Sequence, residues 1–289
     1  MYPWKTTGIF ESSMKVLTAS TLGFCGGVKR AVYLASRALE KATRENRKLY
    51  FYGSLVHNAS VCRPFSEYGA VVTEKADEVE KRSIVVIRAH GITDSERHIL
   101  VEKGVTLIDA TCPVVAHSQA LVRSSVLPVL IFGYPGHSEV DSLLGSTGDS
   151  ASYVISSEKD FERIEKVEYN CVVQTTFSAS LAETLLEKAG EDGIRIRMLN
   201  RICSASEERR RAVTDLYDAV DGFVVVGDEI SANSRELFNI ARGSGKPCFL
   251  VRDAESLPAE VFSLGTVGLT AGASTSDDVY LRVKRKLEE

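Results

Sequence analysis

Three of the six cysteines in this 289-residue chain share one local setting, and that setting suits a metal centre with a free position. Cys25 follows the β-favouring stretch Lys15-Val16-Leu17-Thr18-Ala19, Cys112 follows Val105-Thr106-Leu107-Ile108-Asp109, and Cys203 follows Arg195-Ile196-Arg197-Met198-Leu199. A helical pattern follows each, over Val28 to Leu39, Val114 to Val122 and Glu207 to Val220. The separations are 87 residues (25 to 112) and 91 residues (112 to 203), nearly one period. Three thiolates leave one coordination position open, as catalytic centres do. Zinc with a water, or a 4Fe-4S cluster presenting its fourth iron, satisfies that description, and the spacing does not choose between them. Helix N-termini after the cysteines favour thiolate over thiol for either metal. The other cysteines read as structural: Cys171 and Cys248 fall inside apolar strands, and Cys62 in a helical segment before Pro64. No CxxC pair supports a zinc ribbon or a thioredoxin-like site.

A second set of residues sits on polar turns. His57, His90 and His137 are joined by Ser231, Asn233, Ser274 and Thr175. Hydrogen-bond donors at helix N-termini form anion sites, and this set suits a phosphate or diphosphate. Glu139 stands two residues after His137. Buried, it would hold a proton near neutral pH and deliver it; exposed, it would be an ordinary first-turn acidic residue. His98, in the helical stretch Ser95 to Lys103, reads as exposed, and His117 as outside the ligand set.

The elements that must position these residues repeat as well. In each period one apolar strand runs into a polar turn: Leu49 to Gly53 toward His57-Asn58, Pro128 to Gly133 toward His137, and Gly222 to Gly227 toward Ser231. A later strand ends in another turn: Ile84 to Ile87 at His90, Cys171 to Gln174 at Thr175, and Thr266 to Leu269 at Ser274. Short apolar strands alternating with helices predict an α/β fold of small parallel sheets covered on both faces. Ligands of such sheets bind at the carboxyl ends of the strands. Three repeated α/β units in a pseudo-threefold trefoil would aim all these residues at one central space. The expected division is an N-terminal extension at 1–13 and units at 14–111, 112–202 and 203–289, the initial strand at 14–24 being a candidate to pack with the third. A net charge of −4 gives no footprint for nucleic acid. No apolar run is long enough for a bilayer, no secretory signal opens the chain, and a cytoplasmic location is expected.

The residues resemble a known family. Gly23-Phe24-Cys25-Gly26-Gly27-Val28, Val56-His57-Asn58, Ala89-His90-Gly91, Asp109-Ala110-Thr111-Cys112-Pro113 and Gly136-His137-Ser138-Glu139-Val140 are similar to motifs of the LytB (IspH) family of 4-hydroxy-3-methylbut-2-enyl diphosphate reductases. Gln174-Thr175-Thr176, Ile202-Cys203, Ser231-Ala232-Asn233-Ser234 and Thr270-Ala271-Gly272-Ala273-Ser274 continue the match in order, from about Met14 to the end. The resemblance implies an iron–sulfur enzyme of isoprenoid biosynthesis by the methylerythritol phosphate route. It implies one 4Fe-4S cluster on Cys25, Cys112 and Cys203 with one open iron. His57, His90, His137, Ser231, Asn233 and Ser274 would hold the allylic diphosphate substrate, Glu139 would relay protons, and Thr175 or Thr176 would order the substrate hydroxyl. Flavodoxin or ferredoxin would donate electrons. Ala232 stands where the family commonly has a serine, and His117 and Gln119 replace an expected lysine and histidine. The alternatives are a quinolinate-synthase-like 4Fe-4S dehydratase and a non-catalytic metal-binding protein.

Overall fold

A computed structural model describes residues 14–148 and 150–289, so the extension at 1–13 lies outside the described residues. Twelve strands and nine α-helices alternate along the described residues. The first stretch contains β1 (Lys15–Thr18), α1 (Gly26–Glu45), β2 (Leu49–Tyr52), α2 (Ala59–Glu67), β3 (Val71–Thr73), β4 (Ile84–Ile87), α3 (Asp94–Glu102) and β5 (Thr106–Asp109). There follow α4 (Pro113–Arg123), β6 (Val129–Phe132), α5 (Ser138–Leu144), β7 (Ser152–Ile155), β8 (Glu168–Val173), α6 (Ala179–Glu191) and β9 (Arg195–Met198). The last stretch contains α7 (Ser204–Thr214), β10 (Gly222–Val226), α8 (Ala232–Gly243), β11 (Cys248–Val251), β12 (Thr266–Ala271) and α9 (Asp277–Glu288).

The strands form three four-stranded parallel sheets, ordered β3-β2-β4-β5, β7-β6-β8-β9 and β11-β10-β12-β1. The three orders are the same pattern, because β1 fills in the third sheet the edge place that β5 and β9 fill in the others. Lys15 pairs with Thr266 and Thr18 with Leu269, so the first described strand is stitched to the last. Each strand at this edge place leads directly to one of the three cysteines.

The central strands β2, β4, β6 and β10 are buried along their whole length. Val, Ile, Leu and Phe fill them because both faces are covered, which removes the polar alternation of a one-sided sheet. Each sheet accordingly has two apolar clusters, one per face, such as those around Phe51 and around Val85 in the first. Completely buried side chains such as Phe132 and Leu130 each stabilise the fold by roughly 1.5–3 kcal/mol.

The helices after the cysteines show how local sequence sets geometry. In α1, Val28, Ala31, Ala35, Ala38 and Ala42 form the buried stripe, and its small residues let the helix lie close to its sheet. Pro113 occupies the first turn of α4, where its missing N–H has no bond to lose. α7 departs from the expected Glu207 to Val220: it starts at Ser204 and stops at Thr214, and a short 3-10 turn covers Tyr217–Ala219. The apolar spacing that suggested continuation is met by that turn, since Leu216, Tyr217 and Val220 pack in the cluster of Val213 and Phe223. Likewise α2 runs through Pro64 instead of ending before it.

Candidate functional site

Cys25, Cys112 and Cys203 are the N-cap residues of α1, α4 and α7, each with extended or near-extended backbone just before the helix. All three line one central cavity. The Cys25 sulfur accepts a hydrogen bond from the Val28 N–H at 3.5 Å. Gly23 turns the chain toward Cys25 at φ +71°, and a side chain there would meet the Tyr280 ring at 2.9 Å. Gly27 keeps the cavity floor open: a Cβ on it would lie 2.6 Å from the Cys112 sulfur and 3.8 Å from that of Cys25. Burial pushes the Cys112 thiol up, bonds from Val114 and Val115 N–H oppose that, and charge on Cys25 and Cys203 adds to the rise. Three sulfurs gathered in one cavity are a donor set for a soft metal centre.

The same cavity is lined by His57, His90, His137, Glu139, Thr175, Ser231, Asn233 and Ser274, so the structure brings together every site residue expected from the sequence. His57 and His90 stack with ring centroids 4.3 Å apart, and His137 meets each edge-on at 5.4 Å. Their ligating nitrogens lie within 4.8 Å of one another. The Glu139 N–H donates to His137 Nδ1 at 3.1 Å, so the neutral ring carries its proton on Nε2. His57 Nε2 lies 3.2 Å from the Ser138 hydroxyl, and buried His90 Nδ1 has no partner among the described residues. Burial lowers the pKa of all three rings; Arg88 and Arg235 add to the effect on His57, and the neighbouring imidazoles add to it on His90 and on His137, which falls to about 4. A cluster of neutral, crowded N–H groups with one orphaned nitrogen is a receptor for an anion.

Three polar side chains complete that receptor. Ser231 caps α8, its oxygen accepting from the Ser234 N–H at 3.3 Å and its own proton left to donate. Asn233 Oδ1 accepts from the Ala273 N–H at 2.8 Å, which leaves its NH2 group as a donor. The Ser274 hydroxyl donates to the His57 carbonyl at 3.4 Å, and Asn58 Nδ2 donates to the Ser274 carbonyl at 2.8 Å. Ala232, buried in the wall, offers no donor.

Glu139 is 1% exposed. Its Oε1 accepts from the Thr175 N–H at 2.8 Å and its Oε2 from the Thr175 hydroxyl at 2.7 Å. Burial lifts the carboxyl to about 7, although both Thr175 bonds favour the anion. Such an acid exchanges protons near neutrality. Thr176 lines the cavity too, but its hydroxyl accepts from Gln174 Nε2 and not from the carboxyl.

Other residues brace or border the cavity, and some lie away from it. Gln174, fully buried, accepts from the Tyr134 N–H at 3.0 Å and braces the turn after β6. Gln119 is buried and donates to the Ile92 carbonyl at 3.3 Å, supporting the turn that carries His90. Arg88 and Arg235 line a polar opening beside His57 and His137. His117 and His98 are exposed and lie outside the cavity. Cys171 is fully buried in β8, and Cys62 and Cys248 lie away from the cavity wall.

The sequence profile of a family described as LytB protein matches residues 16–288. A 4-hydroxy-3-methylbut-2-enyl diphosphate reductase of Treponema denticola is 35% identical over 288 residues, spanning 96% of this chain and all of that protein. The namesake from Solidesulfovibrio magneticus is 32% identical, over 95% of this chain and 99% of its own. A solved E-1-hydroxy-2-methyl-but-2-enyl-4-diphosphate reductase from Plasmodium falciparum shares the fold, with a TM-score of 0.87 at 24% identity over 94% of this chain and 87% of that one. A solved (E)-4-hydroxy-3-methyl-but-2-enyl diphosphate reductase, described as the terminal enzyme of the non-mevalonate pathway, superposes with a TM-score of 0.70 at 28% identity, over 95% and 99% of the two chains.

Proposed function

The chain belongs to the LytB protein family, and from that premise we propose that it is a 4-hydroxy-3-methylbut-2-enyl diphosphate reductase. The substrate's allylic hydroxyl leaves as water, with uptake of two electrons and two protons, giving isopentenyl and dimethylallyl diphosphates. One observation carries the reading: a buried carboxyl of pKa about 7 shares a cavity with three helix-capping cysteines and an anion receptor. Electrons come from a flavodoxin- or ferredoxin-like donor, and the setting is the cytoplasm, in keeping with six free cysteines.

The residues fit a 4Fe-4S cluster held by Cys25, Cys112 and Cys203 with one iron open. The donors are soft thiolates, which select iron–sulfur or zinc over hard cations. The three sulfurs line one cavity, and Gly27 leaves beside two of them the space that a Cβ would occupy. When bound, the cluster would supply electrons singly and the Lewis acidity of an iron.

The chain's own residues do the rest. The three imidazoles, Ser231, Asn233 and Ser274 bind the diphosphate, helped by the N-termini of α2, α5 and α8. Anchoring that end fixes the reacting hydroxyl against Glu139 and Thr175, and such orientation removes much of the entropic barrier. Protonated Glu139 delivers its proton to the departing oxygen, turning it into water. Thr175 holds the carboxyl in place and, once the proton has gone, stabilises the carboxylate through its N–H and O–H.

Anaerobic turnover of the hydroxylated allylic diphosphate by the reconstituted protein, with identification of the two products, tests this function. A colourless protein holding one zinc and giving no product overturns it. A separate result is expected at the anion receptor. The bare imidazoles have lowered pKa values, and a bound anion raises them again, so binding takes up protons when the pH lies between the free and bound values. Calorimetric titration with sulfate, an anion that does not itself titrate near pH 6, in buffers of different ionisation enthalpy, should therefore show net proton uptake. Heats independent of the buffer would show that no imidazole takes up a proton when the anion binds.

A further inference from the structure

Arg209 lies on α7, six residues after Cys203, and is 3% exposed; among the described residues it is the one Lys or Arg so deeply buried. Burying a cation costs several kcal/mol unless an anion compensates it. Its two terminal nitrogens instead meet neutral carbonyls: Nη2 donates to Gly23 O at 2.6 Å and Nη1 to Ala205 O at 2.7 Å. Its Nε–H is buried without an acceptor. Both carbonyls stand two residues from a cavity cysteine, Gly23 before Cys25 and Ala205 after Cys203. Burial holds the guanidinium below its ordinary range, and the charges that counter this are Cys25 and Cys203, ahead of Glu208.

Resting on the cluster reading, we infer that Arg209 is a positioning residue that ties the Cys25 segment to the Cys203 helix and supplies the counter-charge that sets the reduction potential of the thiolate-bound cluster. Each electron added makes the centre more negative, and a fixed buried cation beside it favours the reduced form. Cluster potentials respond to net charge and to hydrogen bonding at the sulfurs. The planar fork of Arg reaches the two carbonyls from two separate nitrogens held in fixed geometry, whereas Lys keeps the charge but offers a single nitrogen.

The test uses wild type, Arg209→Gln and Arg209→Lys, reconstituted anaerobically. Iron per chain, the midpoint potential from a spin-resonance redox titration, and Tm with and without cluster are measured. Arg209→Gln is expected to shift the midpoint negative and to lose more Tm in the loaded than in the cluster-free protein. Arg209→Lys is expected to keep a midpoint near wild type while loading less iron. An unmoved midpoint in Arg209→Gln, or an equal Tm loss in both forms, overturns the inference, because a purely structural residue behaves that way. Should Arg209→Gln not fold, Arg209→Lys decides: a near-wild-type midpoint supports the counter-charge and a negative shift refutes it. A wild type that takes up no cluster sinks the cluster reading and this inference with it. A loaded wild type beside an unaltered Gln variant sinks the inference alone.

Discussion

Glu139→Gln is expected to give a folded, cluster-bearing protein whose turnover is lower by about 10²–10⁴-fold, the usual worth of a positioned general acid. The amide has nearly the carboxyl's shape. Its oxygen can still accept from the Thr175 N–H, and its NH2 can donate to the Thr175 hydroxyl in place of the present bond. What it cannot do is give up a proton. Folding should respond in the opposite sense. The Glu139 carboxyl is raised from 4.5 to about 7 by folding, so the folded state binds its proton more tightly than the unfolded chain does. Wild-type stability from this group is therefore full below about 4.5 and is lost as pH rises through about 7, a change of about 3 kcal/mol at 1.36 kcal/mol per unit. The Gln variant lacks that loss, so its Tm relative to wild type should climb between pH 5 and pH 8. Near-normal turnover, or a Tm difference flat in pH, would contradict the proton-carrying role.

Removing a thiolate is expected to cost more. Cys25→Ser, Cys112→Ser or Cys203→Ser should each lower iron content steeply and bring turnover to background, because the remaining two thiolates no longer enclose a cluster with one open position. Cys62→Ser, outside the cavity wall, is the matched control and should keep wild-type iron. Iron analysis after anaerobic reconstitution, together with the visible absorption of thiolate-bound iron, reads the result. An unchanged iron count in one of the three variants would take that residue out of the ligand set. The variants should fold, since the Cys25 sulfur makes one long bond at 3.5 Å and serine is itself a favoured N-cap.

Much of the cavity could be read from the chain because its chemistry sits at strand ends, where apolar runs break into polar turns. Cys112, His137 and Thr175 each follow such a break, and the repeat at 87 and 91 residues marks their equivalence. Contacts between distant segments are harder to see. His57 meets Ser138 across 81 residues and Asn58 meets Ser274 across 216, and no local spacing encodes either. Arg209 was hidden by its company. The run Glu207-Glu208-Arg209-Arg210-Arg211 looks like a solvated face, yet Arg209, Ala212 and Val213 together form the buried stripe of α7 at helical spacing. Asking which member of that charge run shares a stripe with Ala212 and Val213 would have found it. The apolar spacing extends α7 too far because a helix and a helix followed by a tight turn place Val213 and Val220 on the same core equally well.

The pairing of β1 with β12 also dictates an order of assembly. Lys15 pairs with Thr266, which is made 251 residues later. The sheets of β2–β5 and β6–β9 draw only on strands near one another in sequence, so each can form while synthesis continues. The strand that carries Cys25 into place has to wait, because its neighbour β12 is made after all the other described strands. Contacts so remote in sequence form slowly. Two corners of the cavity thus stand ready before the third arrives, and any metal that needs all three cysteines can be taken up only after β12 has been made.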